Sequence, residues 1–286
     1  MKAVVAVFLF TSFFAAPLAA QEYTGTLQQI RESGEIRLGF RDAEPPMSYL
    51  GSDGAPQGYS VDICNEIVSA LKNKTGKDLK VTYVQVSAED RFSALTDNRI
   101  DILCGSTTQT LARREIVDFT LFTFVTGASL MSLKSANLLD FPSLAGKKVG
   151  VVKNTTTVDR LRATLVKANT DATVVELESA RDALEQLRSG AIDAFSADQV
   201  VLIGLALSAE DVASFAISAG VFSFEPLALA VRRNDSDFRL VADRVIADLY
   251  RSEEIIPVYQ KWMGRFASNR PPVFDTLFQL NAIPEQ

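Results

Sequence analysis

Hydroxyl and guanidinium side chains are concentrated in one short stretch, DILCGSTTQTLARRE, at positions 101–115. The stretch begins like a buried strand, breaks into small polar residues and continues as a helix-like segment. Gly105 allows close backbone approach, Ser106 and Thr108 offer hydroxyl groups, and Arg113 can pair with a carboxylate through two hydrogen bonds. The stretch therefore predicts a carboxylate site. The alternative is a capped helix with a solvated arginine.

Similar side chains occur at the ends of other predicted strands. In open parallel α/β sheets, ligands bind beyond the carboxyl ends of the strands, where helix amides point outward. Arg41 follows the first predicted strand, and Arg91 lies in the turn of helix after a later one. In the second half, Thr156 lies in the donor-rich turn NTTT and Asp198 closes the strand AIDAFSAD. A ligand with two carboxylates and one ammonium group would satisfy this set.

Some of these side chains also have purely structural interpretations. Arg41 could pair with Asp42 or Glu44 on the surface, a contact of small energetic value. Asp198 could be the N-cap of the helix that follows it. Met47 and Tyr49 could either cover the ligand or pack within the first lobe.

The order of the predicted elements indicates an α/β fold with two lobes. Strands and helices alternate from Ile36 onward, with a helix ending at Gly76, a helix starting near Ala88 behind a capping box of Ser87 and Asp90, and the strand RIDILCG. A similar set begins after residue 144. Two extended segments, FTFVTGASLMSL and GVFSFEPLALAVRR, predict that the chain leaves the first lobe, builds the second and returns. The expected parts are residues 21–126, 127–224 and 225–286.

Composition and the N-terminal segment predict an exported globular protein. The 286 residues are 47% hydrophobic and 22% charged, which is enough for two cores. Residues 1–20, MKAVVAVFLFTSFFAAPLAA, are expected to be a signal peptide. The alternative is a membrane anchor, but its apolar run is shorter than the roughly 20 residues that span a bilayer. The 29 basic and 35 acidic residues argue against a nucleic-acid partner.

The chain has two cysteines, Cys64 and Cys104, and no histidine. An even count in an oxidising compartment predicts one disulfide, and two buried free thiols are the alternative. Two cysteines without a histidine are too few ligands for a metal site. We expect neither a metal nor a cofactor.

The sequence resembles the family 3 extracellular solute-binding proteins, which supply polar amino acids to ABC importers, and within them the glutamate/aspartate-binding group. The resemblance rests on the order and spacing of FRDAEPPMSY, GYSVDICNEIV, CGSTTQTLAR, GVVKNTTT and DAFSADQ. It implies the periplasmic-binding-protein fold, in which two α/β sandwich lobes are joined by a two-strand hinge and hold the ligand in their cleft. It further implies a periplasmic monomer that delivers an amino acid to a permease in the inner membrane.

The resemblance also implies a role for each site residue. Ser106, Thr108 and Arg113 would hold the α-carboxylate with help from Thr156, and Asp198 would take the α-ammonium. Arg41 and Arg91 would face an acidic side chain.

Two positions depart from the glutamate/aspartate group. Ala88 stands where that group has a serine, and Ala180 or Ser179 where it has a histidine. The expected ligand is a polar amino acid, an acidic one (glutamate or aspartate) in the first place, with glutamine and asparagine as the alternatives.

Two other functions were weighed against binding for transport. One is an enzyme on the same fold, similar to cyclohexadienyl dehydratase, which needs a general acid or base in the cleft. Without histidine its candidates are Asp198, Asp90 and Glu89, so we expect no catalytic residue. The other is a sensor that docks on a membrane receptor, which also uses closure of the lobes as its signal.

Overall fold

A computed structural model describes residues 23–209, 211–264 and 271–286. The predicted signal peptide lies outside these residues. Within the described part of the chain, no helix combines the length and the apolar character needed to cross a membrane.

The first lobe begins with the segment before residue 127. Its elements are α1 (Gly25–Ser33), β1 (Glu35–Phe40), β2 (Ala43–Glu44), β3 (Ser48–Leu50), β4 (Pro56–Gln57), α2 (Tyr59–Thr75), β5 (Lys80–Gln85), α3 (Arg91–Thr96), β6 (Ile102–Cys104) and β7 (Val117–Thr126).

The second lobe follows without a break in the chain. Its elements are β8 (Ala128–Leu133), β9 (Lys148–Val152), α4 (Thr156–Lys167), β10 (Thr173–Leu177), α5 (Ala180–Ser189), β11 (Ala194–Asp198), α6 (Gln199–Ser208) and β12 (Phe215–Ile217). The chain then returns to the first lobe as β13 (Glu225–Arg232), α7 (Ser236–Arg251), α8 (Ile255–Met263) and α9 (Pro272–Asn281).

The two main sheets share one topology. In the first sheet the order is β5-β1-β6-β13-β7, and in the second it is β10-β9-β11-β8-β12. In each, the first three strands are parallel and the last two run antiparallel to their neighbours. The short strands β2, β3 and β4 form a separate small sheet. The two halves of the chain, predicted to be similar, therefore form sheets with the same arrangement of parallel and antiparallel strands.

Two neighbouring crossings connect the lobes. The first passes through Gly127, between β7 and β8, and the second through residues 218–224, between β12 and β13. The amide of Ala128 donates to the Ser223 hydroxyl oxygen (2.9 Å), and the amide of Phe222 donates to the Ala128 carbonyl (2.9 Å). A Cβ atom at Gly127 would lie 2.3 Å from the Ser223 carbonyl oxygen, so this close approach requires glycine.

Apolar side chains of the helices cover the faces of the sheets. On α7 one apolar face is turned inward, and its residues Phe238, Val241, Ala242, Ile246 and Leu249 are buried. Separate apolar clusters fill the other faces of the two sheets, around Leu103 in the first and Val149 in the second. Each lobe consequently has the layered α/β architecture that the sequence pattern predicts.

The predicted disulfide between Cys64 and Cys104 is confirmed. It joins α2 to the end of β6, with the Cα atoms 6.2 Å apart, and both residues are fully buried. The bridge fixes the strand end from which the donor-rich turn GSTT departs.

Several predicted elements differ in the structure. Helix α1 was not predicted. The predicted capping box of Ser87 and Asp90 is present, because the Asp90 amide donates to Ser87 Oγ and the Asp90 carboxylate accepts from the Ser87 amide. Residues 88–90 form a turn, however, and the regular helix α3 begins at Arg91 and not near Ala88. The segment around Arg113 is a single 3₁₀ turn, Arg113–Glu115, and not a longer helix.

Strand β6 is shorter than the predicted strand RIDILCG. Asp101, the residue before β6, is fully buried and accepts hydrogen bonds from the backbone amide and the guanidinium of Arg37 and from the guanidinium of Arg232. The Asp101 amide still donates to the Arg37 carbonyl of β1 (2.8 Å), but the Arg37 amide donates to the Asp101 side chain and not to a backbone carbonyl.

Candidate functional site

A small cavity lies between the lobes and brings all of the predicted site residues together. Both lobes contribute to its lining, and its volume of about 50 Å³ excludes a macromolecule. The predicted residues that line it are Arg41, Arg91, Ser106, Thr108, Arg113, Thr156 and Asp198.

The parallel strands place these side chains at a common edge, because their carboxyl ends point toward the cleft. Arg41 follows β1 directly, Ser106 comes two residues after β6, and Asp198 is the last residue of β11. Thr156 opens α4 after β9. Each position is a strand end or the first turn of the following helix, as the sequence predicts.

Arg113 is held in place by its own turn. Its backbone amide donates to Thr110 Oγ1 (3.1 Å), its Nη1 donates to the Thr108 carbonyl (2.7 Å), and its guanidinium lies 5.4 Å from the centre of the Phe92 ring. Burial lowers its pKa, whereas the carboxylates Glu225 and Asp198 act in the opposite direction. This is a preorganised cation facing the cavity.

Arg91 carries a donor without an acceptor. It is only 3% exposed, stacks on the Phe92 ring at 4.4 Å, and donates from Nη2 to the Asn154 carbonyl across the cleft (2.9 Å). Its Nη1 finds no hydrogen-bond partner among the described residues. Burial, with smaller effects of Arg113 and Arg41, lowers the pKa of Arg91 to about 9, so it remains charged at neutral pH. A buried cation of this kind calls for an anionic or polar acceptor.

Arg41 pairs with Glu44, but inside the cavity and not on the surface. Arg41 Nη1 lies 2.9 Å from Glu44 Oε1, and the two side chains are only 9% and 13% exposed. Glu44 Oε2 accepts a hydrogen bond from Ser106 Oγ (2.6 Å), and Glu44 itself lines the cavity. From the sequence, Glu44 was expected only as a possible surface partner of Arg41. Its spacing of three residues from Arg41 was the available signal.

Asp198 lies at the N-cap position of α6, yet its side chain makes no capping hydrogen bond. Burial raises its pKa well above the ordinary aspartate value, and the nearby carboxylates Glu225 and Glu44 raise it further, while Arg113 opposes them. Arg113 alone thus does not offset burial and the two carboxylates, and an ammonium group beside Asp198 would stabilise its ionised form.

Glu225 is a second carboxylate that the sequence did not reveal. It is 1% exposed, begins β13 and accepts hydrogen bonds from Thr156 Oγ1 (2.8 Å) and Ser223 Oγ (2.7 Å). It links the returning strand to the donor-rich turn of the second lobe. Its flanks, SF and PLALA, read as an ordinary apolar strand.

Ala88 and Ala180, the two positions that depart from the glutamate/aspartate-binding group, differ in their place relative to the cavity. Ala180 lines the cavity, whereas Ala88 is buried and does not line it. Met47 is completely buried in the core, and Tyr49 packs against Trp262 with ring centres 6.0 Å apart. Neither Met47 nor Tyr49 lines the cavity.

Further contacts join the lobes around the cavity. Lys153 Nζ of the second lobe lies 2.7 Å from Glu89 Oε2 of the first lobe. At Gly204 of α6, an added Cβ atom would lie 2.1 Å from the Pro45 carbonyl oxygen, so the backbones of the two lobes nearly touch. The lobes are closed in this structure.

The arrangement of two α/β lobes closed over a charged cavity has a counterpart among known families. The sequence profile of the bacterial extracellular solute-binding proteins, family 3, matches residues 36–265. The chain belongs to this family.

This family 3 solute-binding protein is 36% identical to the L-glutamate/L-aspartate-binding protein of Pseudomonas aeruginosa, over 91% of its own length and 86% of that protein. It is 32% identical to the glutamate/aspartate import solute-binding protein of Salmonella typhimurium, over 86% and 81% of the two chains. The predicted resemblance is thus confirmed.

Solved structures share the fold of this solute-binding protein. One is an ancestral amino acid-binding protein described as a precursor of cyclohexadienyl dehydratase. It is 25% identical to this chain and superimposes with a TM-score of 0.72, over 83% of this chain and 99% of the other. The predicted two-lobed fold is confirmed.

Proposed function

We propose that this protein is the periplasmic substrate-binding component of an ABC importer and that it binds one polar amino acid in the cavity between its lobes. The observation that carries the proposal is the position of Arg113 and Asp198. They come from different lobes, line the same small cavity and supply the two charges that complement an amino-acid zwitterion.

In this proposal the amino-acid end of the ligand is held from both lobes. Arg113 pairs with the α-carboxylate, and the hydroxyls of Ser106, Thr108 and Thr156 complete its hydrogen bonds. Asp198 accepts the α-ammonium, which would restore the charge balance of a carboxylate whose pKa is raised in the empty cavity.

The distal end of the ligand meets Arg91. Its unpartnered Nη1 requires an acceptor, which the carboxylate of glutamate or aspartate and the amide oxygen of glutamine or asparagine both provide. Ala180 leaves this end of the cavity without a polar contribution from its own position. The names of two relatives, which bind glutamate and aspartate, support the acidic members of this class.

The proposal includes delivery of the ligand to a permease in the inner membrane. Only the closed state uses donors from both lobes, so ligand binding selects that state, and a membrane partner can recognise it. We expect the delivering protein to be a monomer without a cofactor. A receptor for sensing would recognise the same closed state.

Catalysis is the competing function because the raised pKa of Asp198 is a property that general acids share. The test is calorimetric titration with glutamate, aspartate, glutamine and asparagine, followed by mass analysis of the recovered ligand. We expect saturable binding with one ligand per chain and unchanged ligand. If none of the four binds, the proposal fails, and a modified ligand would establish the enzyme instead.

A further inference from the structure

Glu44 is the carboxylate of the first-lobe wall of the cavity, where the other polar side chains are three arginines and the hydroxyls of Ser106 and Thr108. One of its oxygens lies 2.9 Å from Arg41 Nη1, and the other accepts the hydrogen bond of Ser106 Oγ (2.6 Å). Glu44 is largely buried and lines the cavity itself. It is therefore in position to act on the ligand directly and also through Arg41.

The main electrostatic effect of Glu44 is to cancel the charge of Arg41. Three arginines and two carboxylates line the cavity (Arg41, Arg91, Arg113, Glu44 and Asp198), and a third carboxylate, the buried Glu225, lies directly behind the lining residue Thr156. With all six ionised, their charges sum to zero. An amino acid without net charge leaves the closed site neutral, whereas an acidic amino acid adds one uncompensated negative charge. Burying such a charge is costly.

Hydrogen bonding at the distal end of the ligand also favours a carboxamide over a carboxylate. Arg91 Nη1 is a donor without an acceptor, whereas Glu44 is an acceptor. A carboxamide offers an oxygen to Arg91 and an NH₂ group to Glu44, so both protein groups are satisfied. A carboxylate could satisfy Arg91 but would meet the negative charge of Glu44, and like charges repel in a closed site.

We propose that Glu44 sets the charge of the ligand and that the site prefers glutamine and asparagine over glutamate and aspartate. This inference rests on the proposed function and selects within its ligand class. It assigns to Glu44 a role in specificity that is separate from holding the amino-acid end.

The experiment compares the affinities for glutamine and glutamate in the wild type, Glu44→Gln and Glu89→Gln. Glu44→Gln keeps the side-chain shape and frees Arg41 to bind a carboxylate. We expect the ratio of the two dissociation constants to shift toward glutamate by at least about tenfold, which equals roughly 1.4 kcal/mol. Glu89→Gln removes the same formal charge from an exposed residue that does not line the cavity. Loss of its ion pair with Lys153 across the cleft should affect both ligands equally and leave the ratio unchanged.

The possible results separate this inference from the proposed function. An unchanged ratio in Glu44→Gln, or equal shifts in both variants, would overturn the role of Glu44 while leaving amino-acid binding intact. Loss of binding for both ligands in a Glu44→Gln variant that is folded by circular dichroism would make Glu44 a structural partner of Ser106 and would also overturn it. A wild type that binds none of the four amino acids would refute the proposed function itself.

Discussion

The hydroxyl oxygen of Thr108 in the first lobe lies 3.4 Å from the hydroxyl oxygen of Thr156 in the second. The two donor-rich turns, GSTT and NTTT, thus meet across the cleft. Their contact shows that the closed state brings the hydrogen-bonding groups of both lobes to one point. The predictions below depend on that convergence.

Arg113→Ala should weaken binding of every accepted amino acid by more than a hundredfold. The change would leave the ligand's α-carboxylate buried and unpaired, at a cost of about 3 to 5 kcal/mol. The measurement is calorimetric titration with one acidic and one neutral ligand. Arg114→Ala is the matched control, because Arg114 is the exposed neighbour and does not line the cavity. Binding of the Arg113 variant within a few-fold of the wild type would show that the GSTT turn is not the carboxylate site.

Arg91→Ala should act on the distal end of the ligand. We expect acidic ligands to lose more affinity than neutral ones, because the removed charge would face the variable side chain. Both classes should also lose a common part, since Arg91 Nη2 donates to Asn154 across the cleft. Competition between an acidic and a neutral amino acid measures the difference. Equal losses of affinity for acidic and neutral ligands would mean that Arg91 contributes only its hydrogen bond across the cleft and does not contact the ligand's side chain.

Gly204→Ala should oppose closure of the lobes. The added methyl group would lie 2.1 Å from the Pro45 carbonyl oxygen of the other lobe, and opening the cleft relieves that clash. We expect weaker binding of all ligands with little change in the unfolding free energy of the ligand-free protein. Solution scattering with ligand should show a larger radius of gyration than for the wild type.

The control for this variant is Gly220→Ala, because an added Cβ atom there has no neighbour within 4 Å among the described residues. Normal affinity and compaction in the Gly204 variant would mean that binding does not require the lobes to approach this closely.

Ligand binding should release a proton from Asp198. Burial raises its pKa in the ligand-free protein, and an ammonium group beside it would lower that pKa again. Affinity should therefore increase as the pH rises through the ligand-free pKa of Asp198. Titrations in two buffers that differ in ionisation enthalpy should give different heats, and Asp198→Asn should abolish the difference. Identical heats for the wild type would argue against an ionising Asp198.

Reduction of the Cys64–Cys104 disulfide should destabilise the protein by about 4 kcal/mol, as chain-entropy reasoning gives for a loop of about 40 residues. Urea unfolding with and without reductant measures the loss, and the double variant Cys64→Ser/Cys104→Ser should match the reduced protein. Two thiols that react with an alkylating agent in the native exported protein would contradict the bridge.

The sequence predicts the strand ends of this site well, because strand periodicity and donor-rich turns are local features. Arg41 directly follows β1, Asp198 ends β11, and Ser106 and Thr156 stand in the short turns after β6 and β9. Parallel strand topology then requires their side chains to share one edge. The type of the fold and the position of the site follow from the same local signals.

The charge partners could not be predicted in this way. Whether Glu44 pairs with Arg41 in water or in the cavity depends on the packing of the second lobe over it, for example Gly204 against Pro45. Glu225 comes near the site only because a returning strand carries it there, more than a hundred residues after Ser106. Burial of a charge is a tertiary property, and a local pattern contains no information on it.

The central position of β13 in the first sheet constrains the order of events during synthesis. This strand lies between β6 and β7, although it is made after the whole second lobe. The second lobe is one continuous segment and can reach its native topology as soon as its last strand emerges. In the first sheet, β6 and β7 have no strand between them until β13 has been synthesised up to residue 232. A chain interrupted before that point would therefore present unpaired strand edges in one lobe and a complete sheet in the other, which makes the first lobe the target for chaperones and proteases.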